Sequence, residues 1–96
     1  MFDLNIRMKV ESEQDFKQLR EQFTVWRHRF PMFTHDVQCI EKIINQHVTA
    51  HSKIMVMYRQ TKNRSYLEKA QQEIDAINKT ILTVEKIELM SLLSRG

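Results

Sequence analysis

Two histidines, His47 and His51, stand four residues apart in His47-Val48-Thr49-Ala50-His51. On a helix that spacing puts both imidazoles on one face, one turn apart, which is how helical metal ligands are arranged. A zinc protease needs a glutamate directly after the first histidine to act as its base, and Val48 occupies that place. His35 and Cys39 form a second pair with the same spacing, but they lie about 12 Å farther back along the helix and cannot share an ion with the first pair. A metal would therefore need ligands from elsewhere. His47 and His51 are the sole metal candidates, and they read better as polar interruptions of a helix seam that hydrogen-bond and set register. No metal or other cofactor is expected.

Catalysis fares no better. A nucleophile needs a base within reach and a third group to orient that base, and only Cys39 with His35 offers even the first two locally. The carboxylates Glu11, Glu13 and Asp15 cluster where a helix N-terminus favours negative charge in any case. The expectation is a protein that is not an enzyme.

Basic residues form two groups. Lys17, Arg20, Arg27, His28 and Arg29 would decorate one helix, while Arg59, Lys62, Arg64 and Lys69 are interleaved with Tyr58 and Tyr66. Cations alternating with aromatics suit single-stranded nucleic acid, so the second group is a candidate contact; a solvated charged tip is the commoner meaning. The overall charge of +3 permits an anionic partner without requiring one. It is unevenly spread: residues 1–64 carry eleven basic and seven acidic side chains, a balance of +4, against four and five, a balance of −1, in the remainder.

The elements that position these groups follow from composition and periodicity. The 96 residues include a single glycine, Gly96, and a single proline, Pro31. Phosphate-cradling loops need glycine where backbone meets ligand, and sandwiches or barrels need many glycine- and proline-rich turns, so both are excluded. With 42% apolar and 28% charged residues the chain has the balance of a folded protein, a single domain over 1–96. Its longest apolar run, Ile54 to Tyr58, is far below the roughly 20 residues of a membrane span. Asp3, Arg7 and Lys9 replace the apolar stretch of a signal peptide, and a lone cysteine cannot form an internal disulfide; a cytoplasmic protein without membrane contact is expected.

Residues 2–10 alternate strictly between apolar Phe2, Leu4, Ile6, Met8, Val10 and polar Asp3, Asn5, Arg7, Lys9, which predicts a strand. Helices are predicted over 12–30, 35–60 and 65–93. The first carries the stripe Phe16, Leu19, Phe23, Trp26, Phe30 and stops at Pro31. The second carries Val37, Ile40, Ile44, His47, His51, Ile54, Tyr58, capped by Thr34 or Asp36. The third follows a Ser65/Glu68 capping box with Leu67, Ala70, Ile74, Ile77, Ile81, Val84. The expected fold is mainly α: a short N-terminal strand and three helices, the last two forming a long coiled-coil-like hairpin.

Two features call for a partner. A lone strand leaves its backbone donors and acceptors open, and the same strand from a second copy, paired about a two-fold axis, would close them. The end of the third helix is apolar on more than one face, more than one short helix is expected to cover. The predicted interface with a second copy or another protein is therefore Leu4, Ile6, Met8, Ile81, Val84, Ile87, Met90 and Leu93, in a homo-oligomer, most simply a homodimer. The alternative is a nucleic-acid-binding regulator. A two-stranded ribbon followed by helices resembles the ribbon-helix-helix repressors, a resemblance covering about the first 50 residues that would make Asn5, Arg7 and Lys9 readers of the major groove. The long first helix and the Pro31-Met32-Phe33 turn depart from that pattern.

Overall fold

The computed structural model describes residues 9–94. Three helices make up nearly all of it: α1 (Phe16–Arg29), α2 (Thr34–Thr61) and α3 (Ser65–Ser94), with 3-10 turns at Glu13–Asp15 and Pro31–Phe33. No strand occurs among the described residues. Of the strand expected over 2–10, Lys9 and Val10 form no ladder, and the rest, including Leu4, Asn5, Ile6, Arg7 and Met8, lies outside the described residues. The ribbon reading falls outside them too.

Local chemistry explains the boundaries. Asp15 Oδ2 accepts the backbone N–H groups of Glu11 at 2.9 Å and Ser12 at 3.3 Å, fastening the entry to α1. The predicted first helix thus begins as a 3-10 turn and becomes α-helical only at Phe16. At its other end Phe30 leaves helical geometry, with φ −120° and ψ 68°, immediately before Pro31. Thr34, expected as a cap, is the first residue of α2, and its hydroxyl donates to Pro31 O at 3.1 Å. Ser65 is likewise inside α3, and its N–H donates to Asn63 Oδ1 at 3.0 Å. With no glycine at hand, Lys62 takes the left-handed C-cap position, φ 58°, and its N–H returns to Tyr58 O.

α2 and α3 pack against each other as an antiparallel hairpin, and the described chain measures 55 × 22 × 16 Å. At 1.5 Å per residue the hairpin arms run about 42 and 45 Å, twice the roughly 21 Å of α1. Two contacts mark the ends of α1. Phe16 meets His51 of α2 edge-on at 5.2 Å, and Arg29 Nη2 donates to Glu88 Oε1 of α3 at 2.6 Å. Past His51 α1 no longer covers the hairpin, although Glu13 of the preceding 3-10 turn still reaches Arg59 of α2. Arg27 links α1 to α2, with both Glu41 carboxylate oxygens within 2.8 Å of its Nη1.

The core joins Phe16, Leu19, Phe23, Trp26 and Phe30 to Val37, Ile44 and the α3 row Ile74, Ile77, Ile81, Val84, Ile87. Val10 completes it, fully buried. This corrects the expected interface: Ile81, Val84 and Ile87 face this chain's own core. The reason is volume, since the aromatic stripe of α1 is bulky enough to cover them together with α2.

Candidate interaction surface

α3 presents a second apolar row besides the core one. Leu82, Leu89 and Leu93 follow at spacings of seven and four, so they stack on a single line, with Met90 beside them. They are 54%, 50%, 79% and, for Met90, 50% exposed. The core residues of α3 point the opposite way. Of the interface residues read from sequence, Met90 and Leu93 thus lie on an open surface, and Leu82 and Leu89, which were not among them, are exposed on it too. The heptad interval between them was the available signal, hidden because the neighbouring core residues made the whole segment look uniformly apolar.

Around the turn into the next groove, Met90 also joins Asp36, Cys39, Ile40, Ile43, Thr83 and Ile87 in a shallow furrow between α2 and α3. Cys39 is exposed there, its Sγ 3.7 Å from His35 Nε2. Among the described residues, the hydrogen-bond contact of this pair is the one between its own two members.

The two central histidines take different roles. His47 Nδ1 lies 2.6 Å from Glu73 Oε2, tying α2 to α3. His51 is buried under Phe16, and its Nδ1 has no hydrogen-bond partner among the described residues. Burial pushes the His51 imidazole below its ordinary 6.5, against the opposing pull of Glu13 and Glu73. A shared face in sequence is therefore divided in space by what α1 and α3 place against it. Among the described residues no group of three His, Cys, Asp or Glu side chains is arranged to hold a metal ion.

Three of the hairpin-tip cations engage neighbours. Arg59 Nη2 sits 3.6 Å from Glu13 Oε1, Lys62 Nζ lies 5.8 Å from the Tyr58 ring centre, and Lys69 Nζ lies 5.4 Å from that of Tyr66. The tyrosines that sequence offered as stacking platforms thus carry the protein's own lysines. Arg64 is exposed on the connecting turn, and Lys9 is exposed beside α3.

Two further polar features lie within the fold. Glu88 is almost fully buried, and Arg29 reaches it from the surface; Glu88 Oε2 and Trp26 Nε1 have no hydrogen-bond partner among the described residues. Asn78 holds the backbone of Val10 from both sides, donating from Nδ2 to Val10 O and accepting at Oδ1 from Val10 N–H, each at 2.8 Å. No described helix is long and apolar enough to cross a membrane. No protein-family model, curated protein or solved structure matches the chain.

Proposed function

We propose that this chain is a non-enzymatic helical interaction protein of the cytoplasm that works as a homo-oligomer, most simply a dimer. Its working surface is the outer row of α3. The observation that carries the reading is the row itself: Leu82, Leu89 and Leu93, half exposed or more, on the side of the helix turned away from the core. Single exposed leucines are ordinary, but three in line with a methionine beside them, clustered from Leu89 to Leu93 and preceded two turns earlier by Leu82, form an aligned apolar row. Heptad spacing is what a second helix would need in order to insert its side chains between them.

Flanking charges of both signs, Asp75, Lys79, Glu85 and Lys86, frame the strip and suit a protein partner better than a polyanion. The furrow holding Ile43 and Met90 extends the same apolar surface around the helix. Light scattering across a concentration series tests the reading: mass should rise from one chain toward two within the micromolar range. A mass of one chain up to several hundred micromolar would overturn it.

A further inference from the structure

We propose that the cavity between the Glu13–Asp15 turn, α2 and α3 binds a small organic cation, an alkylammonium. Its charged nitrogen lies at Glu11, Glu13 and His51, and its carbon chain lies on the apolar wall behind them. The site is at the opposite end of α3 from the leucine row and stands independently of it.

The cavity has a volume of about 320 Å³, at the lower edge of the roughly 300–1,000 Å³ of small-molecule sites. Met55 of α2 and Leu67, Ala70 and Ile74 of α3 give it an apolar wall. Glu11 and Glu13 line it from the N-terminal side of α1, and His51 from α2. Such a wall suits a ligand with an apolar body and one polar end.

The polar end is defined by what the lining residues lack. His51 is 5% exposed, it forms part of the cavity wall, and its Nδ1 has no hydrogen-bond partner among the described residues. Burial holds the imidazole below its ordinary 6.5, so the ring is uncharged at neutral pH and, with its proton on Nε2, offers Nδ1 as an acceptor. The Glu11 carboxylate makes no hydrogen bond or ion pair among the described residues, and Glu13 meets Arg59 only at 3.6 Å. Gln71, a donor on the same wall, already gives an Nε2–H to Asp75 Oδ1 at 3.1 Å. The cavity is thus rich in acceptors and poor in donors. An ammonium brings three N–H donors and no acceptor, and its charge complements the two carboxylates.

A metal ion fits less well, since no three His, Cys, Asp or Glu side chains among the described residues are arranged to coordinate one. Water would satisfy Nδ1 but leave Met55, Leu67 and Ile74 wet, whereas an alkyl chain covers them.

The test follows the imidazole resonances of His51 by NMR in the full chain, at matched ionic strength and at a pH well above the ring's ordinary 6.5. The probes are butylammonium chloride, butanol and zinc chloride. Butylammonium should shift the His51 signals saturably, in about the millimolar range expected of so small a ligand. It should bind at least about tenfold tighter than butanol, which has the same chain without the charge. Glu11→Gln, at an exposed position, should weaken butylammonium severalfold with butanol and helicity unchanged. Equal affinities for amine and alcohol, the absence of a saturable His51 shift with butylammonium, or saturation by zinc at a lower concentration than the amine would overturn the proposal.

Discussion

The carboxamide of Asn78 grips Val10 at both its N–H and its C=O, across 68 residues of sequence. One side chain thereby fixes where the N-terminal segment joins the bundle. Replacing it by alanine leaves two part-buried backbone groups without partners, each of which costs free energy when unpaired. Asn78→Ala should lower stability by about 2 kcal/mol in urea denaturation and speed exchange of the Val10 amide. A change within about 0.5 kcal/mol, the range of neutral surface substitutions, would contradict the clamp.

His51 makes stability depend on pH. Its imidazole is held below the ordinary 6.5 by burial, so the unfolded chain takes up a proton at a pH where the folded chain does not. Stability is whole above that ordinary value and falls as pH drops through it toward the depressed folded value. Glu13 and Glu73 attract the charged form and moderate the fall, and Phe16 packs against the ring. His51→Leu should lose part of the decline between about pH 7.5 and 5.5 and also remove the orphaned Nδ1. An unchanged pH dependence of the urea midpoint would contradict this.

Arg29 and Glu88 should respond unequally. Glu88 is 3% exposed and Arg29 41%, so removing the arginine strands a buried carboxylate, while neutralising the glutamate does not. Arg29→Ala is expected to cost about 2 to 3 kcal/mol and Glu88→Gln distinctly less. Equal or reversed costs in thermal or chemical unfolding would show that Glu88 does not depend on this partner.

Lys62 occupies a conformation that glycine adopts without a Cβ penalty. Lys62→Gly should therefore raise stability by about 1 kcal/mol, an unusual direction for a glycine substitution. A loss of stability would mean that the lysine's place over Tyr58 outweighs the backbone relief.

The helices were legible because their signals are local. The aromatic stripe from Phe16 to Phe30, the stop at Pro31 and the break after Thr61 each act within a turn or two, and α1, α2 and α3 follow them closely. What was not legible depends on pairings across the chain. Nothing near Asn78 announces that it will hold Val10, nothing near Glu88 announces burial beneath Arg29, and the separation of His47 from His51 is decided by Glu73 and Phe16. Which apolar residues of α3 are exposed was legible only in part. Met90 and Leu93, which are exposed, and Ile81, Val84 and Ile87, which are buried, were all assigned alike to a partner, because sequence shows how apolar a helix is on each side without showing which side α1 will cover.

The row of Leu82, Leu89 and Leu93 on α3 is the proposed surface for association. The most direct measurement compares light-scattering mass for the full chain and for Leu82→Asp combined with Leu89→Asp, with helicity followed by circular dichroism. Both leucines are half exposed, so the charges should leave the three-helix fold intact. Concentration-dependent dimerisation is expected in the parent, with its loss in the variant and unchanged helicity in both. A variant that dimerises as well as the parent would contradict it.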